Sequence, residues 1–216
     1  MIIKKFLHSC ILIEDAGKRL LIDPGMFSFV EGKITPDDIG PVDVILLTHK
    51  HPDHFYPEAL KKITALQLTE IVTHAEIGDL LEQEGFAYRP IQSGETVSVG
   101  GFTIRALTAP HGPLPIPLPH NLAYLINDRI LIPGDSIEVA GAASPEILAL
   151  PIAGPWARLP DSLAWARAIR PKQVIPIHDA IIKDFFLDRM YLMCADYFKQ
   201  YGIAFHPLKL GESLEL

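Results

Sequence analysis

The sequence predicts an α/β protein: two mixed β-sheets with helices on their outer faces. Three observations lead there. The chain has 216 residues, which suits a single domain covering 1–216, because domains usually run about 100 to 200 residues. Hydrophobic residues make up 49% and charged residues 21%, a balance that permits a substantial core and excludes wholesale disorder. Short apolar runs alternate along the chain with segments of helical period, as expected of strands covered by helices.

Residues 10–14 and 19–23 are apolar runs separated by Asp15-Ala16-Gly17-Lys18, a turn composition that predicts an antiparallel hairpin. Residues 42–47 form a near-continuous apolar run, which suits a strand buried on both faces. Helices are predicted over 57–65 and 75–84, the second stopped by Gly85, with a short strand at 71–73 between them. Strand pattern returns over 96–107, and the runs 122–126 and 130–133 flank Asn127-Asp128 as a second hairpin. A strand at 147–152, a helix at 161–169 ended by Pro171, and a strand at 173–177 follow. Leu187, Met190, Tyr191, Cys194, Phe198 and Tyr201 recur at helical spacing, so a last amphipathic helix stops at Gly202. The tail, 203–216, closes with an edge-like strand. Between 110 and 120, five prolines in eleven residues deny the backbone donors and predict a stiff, non-sheet loop, either a plain connection or a wall over a pocket.

Composition removes several classes of function. Nineteen Lys and Arg against 26 Asp and Glu give a formal charge of −7, which repels a phosphate backbone and argues against nucleic acid as a partner. Cys10 and Cys194 form no Cys-x-x-Cys clip or disulfide framework, so a reducing cytoplasm is the simplest compartment. The apolar run at the N-terminus is too short for a secretory core. No uncharged stretch approaches the ~20 apolar residues needed to span a bilayer. The expected partner is a small-molecule substrate, and the apolar composition permits a homo-oligomer.

The strongest signal is Thr48-His49-Lys50-His51-Pro52-Asp53-His54, three imidazoles and a carboxylate within six residues, directly after a buried strand. Imidazole nitrogen and carboxylate oxygen are ligands for zinc, manganese or iron, and a loop leaving a rigid strand aims several of them into one small volume. The motif resembles the His-x-His-x-Asp-His signature of the metallo-β-lactamase superfamily. The likeness continues with Ala109-Pro110-His111-Gly112, Pro133-Gly134-Asp135-Ser136 and Ile175-Pro176-Ile177-His178, so all seven family positions are filled. It implies a four-layer αβ/βα sandwich with the site at one edge. It also implies that His49, His51 and His111 hold one divalent ion and Asp53, His54 and His178 a second, with Asp135 bridging. Zinc ranks first, and manganese and iron share these ligands. Two such ions ~3.5 to 4 Å apart make hydroxide available at neutral pH and clamp attacking and leaving oxygens.

Other residues divide between functional and plain readings. Asp23 matches the family's early Asp, accepting a ligand imidazole's free N–H, or else initiates a turn before Pro24. His8 and the 150–156 run ending in Trp156 are similar to segments bordering the pocket in the ascorbate-6-phosphate lactonase-like branch, or else are a strand residue and core packing. His120 is the first candidate for a proton donor or substrate contact, a surface position being the alternative. His74 reads as the cap of the helix that follows, His206 has no role, and Met190 and Met193 read as packing. Lys50, Arg158 and Lys183 are the cations nearest the motifs, each most simply a solvated charge.

These readings lead to a metal-dependent hydrolase of a small ester-like substrate, lactone or phosphoester, with Asp53 assisting water orientation and His120 proton transfer. The family's extra C-terminal helical domain, its large inserted domain and its second-site cysteine have no counterpart here. A mononuclear-iron dioxygenase using a subset of the same ligands is the main alternative, separable by iron content and oxygen uptake. A non-catalytic metal-binding module is a third.

Overall fold

The computed structural model describes residues 1–142 and 144–216. Strand β1 (Ile2–Lys5) pairs antiparallel with β2 (Ile11–Asp15), which turns at Ala16 and Gly17 into β3 (Lys18–Ile22). Both turn residues have positive φ, as a two-residue hairpin turn requires. Next come α1 (Pro36–Ile39), β4 (Val44–Leu46), α2 (Pro57–Thr64), β5 (Glu70–Thr73), α3 (Ala75–Gln83) and the two-residue β6 (Arg89–Pro90). The second half holds β7 (Thr96–Val99), β8 (Phe102–Thr108), β9 (Leu122–Ile126), β10 (Ile130–Ile132), β11 (Ile147–Pro151), α4 (Leu159–Ile169) and β12 (Gln173–Ile177). It ends with α5 (Asp184–Lys199), β13 (Ala204–Phe205) and β14 (Ser213–Glu215).

The strands form two seven-stranded mixed sheets, ordered β14-β1-β2-β3-β4-β5-β6 and β13-β12-β11-β10-β9-β8-β7. In each, one half is antiparallel and the other parallel: β14 to β3 and β7 to β10 pair antiparallel, β3 to β6 and β10 to β13 parallel. Alternation along the strands explains the near-continuous apolar runs, since both faces of both sheets are covered. Ile11, Ile13, Leu20 and Ile22 face inward and meet Ile104, Tyr124, Ile132 and Ile175 of the other sheet. Leu12, Leu21 and Ile45 face outward against Leu60, Ile63 and Ile77 of α2 and α3. Leu131, Leu148 and Val174 do the same against Leu163 of α4 and Cys194 and Phe198 of α5. The layers are therefore helix, sheet, sheet, helix.

Several elements differ from the sequence expectation. The strand predicted over 96–107 is a hairpin, broken at Gly100 and Gly101, which take φ of 53° and 89° and place Val99 opposite Phe102. The tail closes with the expected edge strand, β14 beside β1 on the first sheet, but β13 before it also edges the second sheet. Strand β1 itself lies upstream of the predicted hairpin. The proline-rich segment runs between β8 and β9 outside either sheet, with Ile116 and Leu118 exposed.

Candidate metal centre

The polar residues picked out by sequence pattern all follow the C-terminal ends of strands: Asp23 after β3, the 48–54 loop after β4, His111 after β8, Asp135 after β10 and His178 after β12. In sheets of this kind those ends are where ligands gather. The 48–54 loop is strapped in place by its backbone. His54 N and Phe55 N both donate to His51 O at 2.9 Å, and Met26 N donates to Pro52 O at 2.7 Å. Gly25 lies so close beneath that a Cβ there would fall 1.8 Å from Asp53 O, so the glycine is needed for close approach.

Two groups of ligand atoms result, each gathered within 4.8 Å: His49, His51, His111 and Asp135 in one, and His8, Asp53, His54 and His178 in the other. In the first, the Nε2 atoms of His49 and His111 each stand 3.2 Å from His51 Nδ1. In the second, His54 Nε2 is 3.0 Å from His178 Nε2. Asp135 lies between the groups. Its Oδ2 is 3.7 Å from His49 Nε2 and 3.4 Å from His111 Nε2, while Oδ1 is 2.9 Å from His54 Nε2 and 2.6 Å from His178 Nε2.

Oxygen atoms behind the rings settle which nitrogen faces inward. Asp23 accepts from Thr48 N at 2.9 Å, from Thr48 Oγ1 at 2.7 Å and from His54 Nδ1 at 2.8 Å. With its hydrogen spent on Asp23, Thr48 Oγ1 is the acceptor for His49 Nδ1 at 3.1 Å. His111 Nδ1 donates to Gly112 O at 2.7 Å. Three rings thus carry their proton on the outer nitrogen and turn the lone pair of Nε2 to the centre, the arrangement that prepares histidine for a metal.

The donor set fits divalent cations. Asp135 Oδ1 is fully buried and has no hydrogen-bond partner of acceptable direction, although two Nε2 atoms lie within 3 Å of it. Converging lone pairs around a buried carboxylate oxygen are costly unless a cation takes them up. The backbone carries strain here too. His8, Asp23 and His178 have φ of 59°, 45° and 65°, a left-handed region that residues other than glycine visit at a cost.

The electrostatics follow from burial and from these neighbours. Burial opposes charge on His54, but Asp135 and Asp23 override it and hold its pKa well above the ordinary value. Burial would raise Asp135, but His178 and His54 hold it well below the usual carboxylate range. Desolvation and neighbouring imidazoles lower both His49 and His51. Asp53 is also held low despite burial, chiefly by its hydrogen bond with His8 Nε2 at 3.0 Å. With a side chain 18% exposed, Asp53 is the carboxylate of the centre that reaches solvent.

All seven sequence-predicted ligands therefore come together, and Asp23 sits behind them. His8, expected only to border the pocket, is a full member of the second group; its signal was a lone histidine in the short connection between two apolar strands. Trp156 packs against one ring of each group, its centroid 5.9 Å from His111 and 5.7 Å from His178. His120 is not in either group. It is exposed, its ring lies 4.3 Å from that of His74, and its N–H donates to Glu76. His74 is the N-cap residue of α3, as expected, but its side chain makes no capping bond; its Nε2 donates to Thr48 O instead, at 3.1 Å, steadying the start of the metal loop. Lys50 pairs with Glu76, and Arg158 with Asp161 through two bonds. His206 bonds to Gln173. Met190 lies on the buried face of α5, in the core between that helix and the second sheet, whereas Met193 on the same helix is half exposed.

Residues 2–178 match the family described as the beta-lactamase superfamily domain. Protein Rv0786c of Mycobacterium tuberculosis is 33% identical over 189 residues, covering 82% of this chain and 83% of its own. A UPF0173 metal-dependent hydrolase of Ligilactobacillus salivarius is 34% identical over 183 residues, covering 79% and 81%. Among solved structures, Igni18, a metallo hydrolase from Ignicoccus hospitalis, superposes with a TM-score of 0.74 at 20% identity over 100% of both chains. The match over residues 2–178, with relatives of this similarity, places the chain in the β-lactamase superfamily, and its sandwich of two mixed sheets is that superfamily's fold.

Proposed function

We propose that the protein is a dinuclear metal-dependent hydrolase that cleaves an ester-like bond in a small molecule. The observation that carries this reading is the position of Asp135, one carboxylate oxygen turned to each group of imidazoles. His49, His51 and His111 would hold one divalent cation, Asp53, His54 and His178 the other, with Asp135 shared and His8 beside Asp53. A single-cation reading leaves one of the two four-residue groups without a use, which favours the pair over the mononuclear alternative. When bound, two such ions lower the pKa of water toward neutrality and polarise the bond to be cleaved.

The chain's own residues supply the rest. Asp53, ionised and partly exposed, orients the attacking water. Asp23 and Thr48 keep the ligand rings aimed. Trp156 forms an apolar wall over a ring of each group and so limits water around the reacting atoms. His120, exposed beside His74, is the candidate proton donor to the leaving group. Zinc is the first-ranked metal. Lactone and phosphoester substrates rank first through the likeness of the His8 and Trp156 segments to the lactonase-like branch.

Burial of both thiols supports a reducing cytoplasm: Cys10 and Cys194 are unpaired, and desolvation pushes the Cys194 thiol up to about 11. No helix among the described residues is long and apolar enough to cross a membrane. The test is elemental analysis of protein purified without chelator, joined to a screen of lactones, phosphodiesters, phosphomonoesters and thioesters. Metal-dependent turnover of one class is expected. Equal turnover by metal-stripped protein would refute the reading.

A further inference from the structure

Lys5 presents a buried charge where the pattern calls for an apolar residue. It shares a strand face with Ile3, which belongs to the core between the sheets, and is 2% exposed. Its ammonium donates to Asp179, and the Tyr191 hydroxyl of α5 donates to the same Oδ2. Asp179 is 3% exposed and Tyr191 8%. A lysine from the first sheet, an aspartate beyond the second sheet and a tyrosine from the outer helix layer thus meet at one oxygen.

The position of this cluster gives it meaning. Asp179 directly follows His178, whose backbone is left-handed at φ 65°. Lys5 lies three residues before His8, also left-handed at 59°. Both histidines belong to the second ligand group. His49, His54 and His111 each have an oxygen behind the ring. The described residues offer no such partner to His178 Nδ1, and His8 Nδ1 is buried without one. Rings that lack outer hydrogen bonds must be held through their backbone, and strained backbone persists only where its surroundings over-determine it. A charged pair taken out of water is a poor source of net stability, but it holds its two chain segments to one geometry.

We infer that Lys5, Asp179 and Tyr191 form a buried clamp that fixes His178 and His8 for the second cation, making them positioning residues for that half of the centre alone. This rests on the two-cation reading above. It assigns no contact between the clamp and substrate.

The test is titration of the metal-free full chain with cobalt(II), followed by calorimetry and visible absorption, for wild type, Asp179→Asn and Tyr191→Phe. His178→Ala identifies which equivalent is the second. Wild type should bind two equivalents. In both clamp variants the second should weaken roughly 10-fold or more, on the scale of losses that follow when support behind a ligand is removed, while the first stays within about twofold. A clamp serving the fold alone would shift both equivalents together or neither, and either result overturns the inference. Tyr191→Phe preserves the Lys5–Asp179 pair and the side-chain volume, so it decides the matter even if Asp179→Asn does not fold. Binding of one equivalent by wild type would instead contradict the two-cation reading, and the clamp's proposed role would go with it.

Discussion

The imidazole of His54 is held at both ends: Nδ1 lies 2.8 Å from Asp23 Oδ2, and Nε2 lies 3.0 Å from His178 Nε2. Asp23 also takes both polar groups of Thr48, so one carboxylate orients a ligand ring and pins the start of the metal loop. Asp23→Asn retains a residue tolerant of the left-handed backbone but loses the charge. It should weaken metal binding about 10- to 100-fold, as losing a carboxylate behind a ligand histidine usually does. Unchanged affinity in a competition assay with a chromophoric chelator would show that Asp23 acts only as a turn residue.

His51→Ala and Asp135→Ala each remove an inward-facing ligand without opening the core between the sheets. Both variants should keep the wild-type far-ultraviolet circular dichroism and lose turnover. Full activity in either would refute the site assignment.

Metal binding should release protons. In the metal-free protein burial disfavours charge on His54, yet Asp135 and Asp23 hold its pKa well above the ordinary value. A cation can bind Nε2 only after any proton there has left, so this raised pKa couples binding to proton release. The sign for stability follows from the same shifts. The His54 contribution is present at low pH and is lost as pH rises through its raised pKa. That of Asp135, whose pKa is depressed, is present above the ordinary carboxylate value and is lost as pH falls. Calorimetric titration in buffers of different ionisation enthalpy should show net proton release at pH 7 and affinity rising with pH. Zero net release would contradict this coupling.

Gly25→Ala should disrupt the loop by steric contact alone. Its Cβ would fall 1.8 Å from Asp53 O and 2.3 Å from His54 N, so the backbone bearing two ligands must move. Overpacking of this kind costs about 1–3 kcal/mol or more. Thermal unfolding should drop and metal content fall together; wild-type values for both would mean that the loop yields freely.

His120→Ala should slow turnover about 10²- to 10⁴-fold, the range for loss of a general acid, while both cations stay bound. Loss of the metals would instead make His120 part of the support for the 48–54 loop, which it approaches through His74.

The ligand set was legible because chemistry and order coincide: each polar motif interrupts an apolar run at a strand end, and buried strands leave few other sites for polar side chains. The Thr96–Val99 and Phe102–Thr108 hairpin was not, because Gly100-Gly101 punctuates a run whose alternation continues on both sides. His8 and Lys5 were harder still. Their environment comes from the opposite sheet, and no local period reports that Asp53 or Asp179 will lie against them. His74 looked like a helix cap by position, but burial drew its ring toward the carbonyl of Thr48.

Anomalous diffraction from crystals grown with zinc, collected on either side of the zinc edge, tests the central claim most directly. Two peaks should flank Asp135, one among His49, His51 and His111 and the other among Asp53, His54 and His178. A single peak, or density bound away from Asp135, would contradict the account.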